Sequence, residues 1–117
     1  MIYVVFEVVI KANCMDNYLR IVSDLKGELN KVKGFVRSER FQSLATENKL
    51  LSLSLWESEE AVNTWRNQVE HRLSQRVGRD SIFESYQISV LSSIRSYGDD
   101  DRREAPADSN VFIFGEN

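Results

Sequence analysis

Residues 50–79 read LLSLSLWESEEAVNTWRNQVEHRLSQRVGR, and this stretch decides the fold. Leu50 to Trp56 alternates: Leu51, Leu53 and Leu55 point one way, Leu50, Ser52, Ser54 and Trp56 the other, which is the period of a strand. With Lys49 at its start, a strand over Lys49 to Trp56 is expected. Ser58 then supplies a capping hydroxyl, and Ala61, Val62, Trp65, Val69 and Leu73 follow at spacings of three and four, the stripe of an amphipathic helix. Gly78 breaks that helix. The same stretch carries both tryptophans and the only histidine, His71.

Outward from there, Ile2 to Ile10 is rich in β-branched and aromatic residues and reads as a strand. Its even positions (Ile2, Val4, Phe6, Val8, Ile10) and odd positions (Tyr3, Val5, Glu7, Val9) are both largely apolar. Asn13 offers an N-cap, Asp16 sits in the first turn, and Tyr18, Ile21, Val22, Leu25, Leu29 and Val32 form a helical stripe that Gly34 would end. Phe35 to Gln42 makes the second strand, residues 43–48 a polar connection, and Ser85 to Tyr97 a long last strand. The order is βαββαβ, the split βαβ or ferredoxin-like pattern, an α+β fold with a four-stranded antiparallel sheet and two helices on one face. Leu25, Leu29, Leu51, Leu53, Leu55, Val62 and Trp65 are the expected helix-side core. Residues 1–98 form this domain, and 99–117 a charged linker and tail ending in Val111-Phe112-Ile113-Phe114.

Two helices hide one sheet face only. The first strand is apolar on both, so the second face needs a cover, because monomers rarely expose large apolar patches. A partner sheet in a homodimer is the expected solution.

Composition narrows the function. The chain has 117 residues, 42% hydrophobic and 28% charged, with a net charge of −3. That is one ordinary globular domain whose acidic balance argues against nucleic acid. The one cysteine, Cys14, cannot close an internal disulfide. The N-terminal strand lacks a basic leader, is interrupted by Glu7, and falls short of the ~20 apolar residues a membrane span needs. A cytoplasmic protein that engages neither membrane nor nucleic acid is expected. Lys33-Gly34-Phe35-Val36 faintly suggests an RNA-recognition sheet, but that motif belongs inside a third strand, and here it precedes the second.

The residues Gln42-Ser43-Leu44, Lys49 through Trp56, Glu59-Glu60-Ala61-Val62, Trp65-Arg66-Asn67, Glu70-His71-Arg72, Gln75, Gly78-Arg79, Ile82-Phe83 and Tyr86 resemble the antibiotic-biosynthesis-monooxygenase-type domains. The likeness covers most of residues 1–98. It implies the dimeric α+β barrel arrangement and a family that includes cofactor-independent oxygenases, heme degraders and members without known activity. In the cofactor-independent relatives the substrate anion itself activates oxygen, and the protein supplies a dry pocket and a base.

The chemistry-bearing residues are few. No metal-ligand spacing, phosphate loop or serine-hydrolase motif is present, so no metal and no cofactor are expected, with heme the alternative. His71 titrates near neutrality and is the candidate base, although helical phase sets it away from the Ala61–Leu73 stripe, near Thr64, Asn67 and Gln75. Its entry into a pocket requires the helix to break near Val69–Glu70. Glu7, a carboxylate among apolar neighbours, is the second catalytic candidate, against the plainer reading of an interface charge paired with arginine. Phe6, Trp65, Asn67, Arg66 and Arg72 are the candidate substrate-binding residues for a small aromatic or quinol-type ligand. Trp65 is also simply a core residue, and the arginines pair naturally with Glu59, Glu60 and Glu70. Trp56 and Trp65 are separated as in the heme-degrading relatives. Those relatives carry an asparagine where Phe6 and Glu7 stand, and their histidine lies further beyond the tryptophan. The heme reading therefore comes second to a cofactor-independent monooxygenase, and a non-enzymatic dimer that binds a small apolar ligand is the third.

Overall fold

The computed structural model describes residues 1–77 and 82–109, the side chains of 69–77 excepted. Its elements are β1 (Ile2–Ile10), α1 (Met15–Leu29), β2 (Phe35–Gln42), β3 (Lys49–Trp56), α2 (Glu59–Val77) and β4 (Phe83–Ser92), the expected βαββαβ order. The sheet order is β2-β3-β1-β4, and every neighbouring pair is antiparallel. β1 and β2 are therefore parallel to each other across β3, as are β3 and β4 across β1. Each parallel pair is joined through one helix. Such crossovers have a strong preference for one hand, which lays both helices on the same face.

Pairing fixes which side chains share that face, because directly opposed residues point the same way. Val8 pairs with Leu50 and Tyr86, and Phe6 with Ser52 and Ile88. Val8, Ile10 and Leu50 form one buried cluster with Tyr18, Ile21 and Leu25 of α1 and with Ile82. The even residues of β1 thus face the helices, together with Leu50, Ser52, Ser54 and Trp56. This reverses the expected side of β3. Leu51, Leu53 and Leu55 pair with Glu7, Val5 and Tyr3 on the face away from the helices. Leu25 and Val62 are buried as expected, and Leu29 and Trp65 are half-buried.

The helix ends depart from expectation in instructive ways. α1 is capped by Cys14 without a side-chain hydrogen bond, while Asn13 adopts φ +68. Asparagine tolerates this left-handed conformation, so it turns the chain rather than capping it. α1 stops at Leu29, so Val32 lies in the following turn, where its N–H donates to Leu29 O at 3.1 Å. Gly34 has φ +92, and a Cβ there would stand 2.7 Å from Ala61 Cβ. Its role is to let the β2 entry and α2 approach closely. Ser58 does cap α2, accepting from Ala61 N–H at 3.2 Å. β4 begins two residues earlier than expected and ends at Ser92, and a bulge opposite Val9/Ile10 turns Phe83 into the core.

Beyond β4, residues 97–109 hold local bonds. Arg102 stacks over Tyr97 at 5.2 Å and donates to Ser109 Oγ at 2.9 Å and to Gly98 O at 3.2 Å. The apolar run Val111–Phe114 lies outside the described residues.

Candidate functional site

On the helix-side face the rows across the sheet are graded in polarity. One row runs Arg40–Ser52–Phe6–Ile88 and the next Ser38–Ser54–Val4–Val90, each from β2 to β4. The α1 core covers the row at Val8 and Leu50, leaving Phe6 at its margin. Phe6 meets Phe83 edge-on at 6.2 Å and Tyr86 at 5.8 Å, and Tyr18 meets Phe83 at 5.6 Å. Edge-to-face geometry is the favoured aromatic arrangement and makes a firm apolar floor. Beyond it Ile88 and Val90 remain 43% and 47% exposed. These are apolar surfaces on the covered side of the sheet that the helices leave partly uncovered.

The opposite end of the rows is polar. Burial pushes the Tyr18 phenol above its usual range, and the nearby Arg40 guanidinium pulls the other way. Trp56 Nε1–H donates to Ser54 Oγ at 2.9 Å, and the Trp56 ring packs on Phe35 at 5.3 Å.

Of the expected site residues, Phe6 lies on this floor, and Trp65 is half-buried on α2 beside buried Val62. Glu7 does not join them. Adjacent strand residues point to opposite faces, and Glu7 pairs with Leu51 and Gln87 on the far side, its carboxylate 3.7 Å from Lys49 Nζ. A cavity holding both Phe6 and Glu7 is thereby corrected, and the partner of Glu7 is a lysine rather than an arginine. Arg66 and Asn67 sit on the exposed side of α2 with Thr64, whose hydroxyl donates to Glu60 O at 3.2 Å. The helix continues through Val69–Glu70 to Val77, so the expected break is absent. His71 and Arg72 belong to α2, but their side chains lie outside the described residues.

Sequence reasoning missed Phe83, Tyr18 and Arg40. Phe83 lay just before the expected strand, and the other two meet only once β2 and α1 are placed. Among the described residues no group of three His, Cys, Asp or Glu side chains is positioned for a metal, and no helix is long and apolar enough to cross a membrane.

A four-stranded antiparallel sheet with two helices on one face and an aromatic floor beneath them defines a ferredoxin-like α+β architecture. The chain belongs to the antibiotic biosynthesis monooxygenase family, whose model matches residues 1–76. It is 35% identical over 99 residues to a jasmonate monooxygenase of Pyricularia oryzae, covering 82% of this chain and 46% of that one. The chain thus spans about half the length of that relative. Its fold is similar to that of SnoaB, a cofactor-independent oxygenase from Streptomyces nogalater (TM-score 0.65, 11% identity, 81% of this chain and 94% of that one). It is also similar to MhuD, solved with two manganese protoporphyrin IX molecules per active site (TM-score 0.67, 12% identity, 84% and 99% covered). At these identities the two structures speak to fold alone.

Proposed function

We propose that the protein is a cofactor-independent monooxygenase-like homodimer acting on a small aromatic or quinol-type substrate at the helix-side floor. The observation that carries this is the Phe6–Phe83–Tyr86 cluster, extended by partly exposed Ile88 and Val90 on the side of the sheet that bears the helices. Family membership and the 35%-identical monooxygenase relative support the reaction class. In the reaction, a base removes a proton from the bound quinol-type substrate. The resulting electron-rich anion reduces dioxygen; one oxygen atom enters the substrate and the other leaves as water, with all the electrons supplied by the substrate. The protein's task is to hold the ring flat, exclude water and take the proton. His71 is assigned the proton, and Trp65 the wall above the floor. Glu7 is assigned instead to the far face, as a charge beside Lys49 in the interface.

The dimer is assigned to that far face. Tyr3, Val5, Val9, Leu51 and Leu53 share it with Phe41 and Leu91, which are 44% and 50% exposed. An isologous sheet-on-sheet contact would bury this stripe.

Oxygen uptake with a panel of hydroquinones and anthrones tests the reaction. Wild type is expected to consume oxygen with at least one, His71→Ala to lose roughly 10²–10⁴-fold of the rate, and the melting temperature of that variant to hold. No uptake above the uncatalysed rate with any panel member would end the enzymatic reading. A Soret band on titration with heme, together with product only in its presence, would replace it with the heme-dependent one.

A further inference from the structure

The helix-side rows are asymmetric in a way that selects a ligand. Arg40, Ser52, Phe6 and Ile88 are consecutive partners along one line across the four strands. With strands about 4.8 Å apart, the backbone at Arg40 lies about 10 Å from that at Phe6 and about 14 Å from that at Ile88. The neighbouring line, Ser38–Ser54–Val4–Val90, repeats the gradient from polar to aliphatic. At the polar end, Tyr18 is 2% exposed, and the Arg40 guanidinium stands close enough to oppose the rise that burial causes in the pKa of its phenol. A guanidinium carries five N–H donors in a planar fork, so one beside a phenol keeps the capacity to grip a carboxylate. Among the described residues no carboxylate forms an ion pair with Arg40. Glu39 and Glu7 lie on the other face of the sheet, by alternation and by pairing respectively.

We propose that this ledge binds a small amphiphilic monoanion, with an apolar body on Phe6, Val4 and Ile88 and its carboxylate against Arg40, Ser52 and the Tyr18 hydroxyl. The proposal rests on the reading of the helix-side face as the substrate floor and adds the chemical class of what lies on it. A wholly apolar ligand would leave the guanidinium idle, and a wholly polar one would gain nothing from the aromatic floor. The row length of about 10–14 Å suits a ring on a short chain, or a chain of about seven to eleven carbons, between head and tail, at roughly 1.3 Å per methylene over two to three inter-strand spacings.

Calorimetric titration of the full chain with 6-phenylhexanoate and with its neutral counterpart 6-phenylhexan-1-ol decides the matter. The acid is expected to bind about ten- to a hundredfold more tightly than the alcohol, the usual worth of a hydrogen bond to a charged group. Arg40→Gln is expected to bring the acid down to the alcohol's affinity and leave the alcohol unchanged, with Arg40→Lys in between. Phe6→Ala should weaken both probes alike. Equal binding of acid and alcohol by wild type, with Phe6→Ala weakening both, would overturn the anionic end and leave the floor standing. Binding of neither probe, or binding indifferent to Phe6→Ala, would overturn the floor and the proposal together. Should Arg40→Gln fail to fold, the wild-type preference and its salt dependence still decide. A preference carried by Arg40 shrinks as salt screens it, and a preference insensitive to salt would assign the selection elsewhere.

Discussion

The two faces of the sheet carry similar amounts of apolar surface and meet opposite fates. On the helix side, Val8, Ile10 and Leu50 disappear beneath Tyr18, Ile21 and Leu25, while the β2 end of the same face stays polar through Ser38, Arg40 and Gln42. On the far side, Leu51 and Leu53 run in a row with Val5, Val9 and Tyr3, all half-buried. The more regular hydrophobic row is therefore not the one the helices cover. Which face becomes the core depends on which parity of β1 the crossovers land on, and the hand of the crossovers sets that side. Local hydrophobicity says that both faces need cover, and topology says who supplies it.

The sharpest way to break this comparison is a charge on the far face. Leu53→Lys would place an ammonium in the proposed sheet-on-sheet contact, and a two-fold contact meets the substitution twice. At about 3–5 kcal/mol for each buried unpaired charge, the dimer should dissociate. Sedimentation at micromolar concentration should give the 13.6 kDa chain mass for the variant and twice that for wild type. A wild-type monomer would leave the far face without its assigned cover.

Next comes the covered face itself. Trp56 is 1% exposed, and Trp56→Ala should cost about 3–5 kcal/mol in urea denaturation through the cavity it leaves. Trp65→Ala, at a half-buried position, should cost clearly less. Equal losses would mean that Trp65 is as much a packing residue as Trp56 and would weaken its assignment as a pocket wall. A smaller loss, about 2–3 kcal/mol, is expected from Gly34→Ala. That change combines a φ of +92 with a clash at Ala61 Cβ, and left-handed backbone alone costs an L-residue roughly 1–2 kcal/mol. Because the clash is with α2, the variant should also loosen the helix over the floor, readable as faster hydrogen exchange at residues 59–65.

How far the sequence could be read follows from the same contrast. β1, β2 and β3 were legible to the residue, since β1 is rich in β-branched and aromatic residues, β2 and β3 alternate, and turn-formers such as Asn13, Gly34 and Asn48 bound them. The face of β3 was not. Leu51, Leu53 and Leu55 make a cleaner row than Leu50, Ser52, Ser54 and Trp56, and nothing local reveals that Ser54 is used by the Trp56 indole. β4 was drawn too long at its C-terminal end because Ile94 continues the row of Ile88 and Val90 after pairing with Met1–Ile2 has run out. Phe6 could be singled out as an aromatic in an apolar strand. Glu7 was placed beside it only because neighbours in sequence were allowed to share a cavity, which a two-residue period forbids. Arg40 and Tyr18 stand 22 positions apart in the numbering, and only the crossover of α1 brings them together.

Tyr18 supplies the smallest expected effect and the finest test of how the covered face is built. Its phenol is pushed above the ordinary value of 10.0, mainly by burial, with Arg40 opposing. The folded state thus binds the phenolic proton more tightly than the unfolded state. That contribution is fully present below about pH 10 and is lost as pH rises from the unfolded value through the higher folded one. Tyr18→Phe removes a buried hydroxyl that stands beside the Arg40 guanidinium, so at neutral pH the loss should be about 1 kcal/mol. Above pH 10 the wild type should lose stability more steeply than Tyr18→Phe, so the two denaturation midpoints should converge. Phenolate absorbance should show one of the four tyrosines titrating after the rest, and that late step should vanish in the variant. If Arg40 rather than burial dominated, the sign would reverse. Tyr18 would then ionise first, wild-type stability would gain relative to the variant as pH rises, and the polar end of the ledge would be wetter than its 2% exposure indicates.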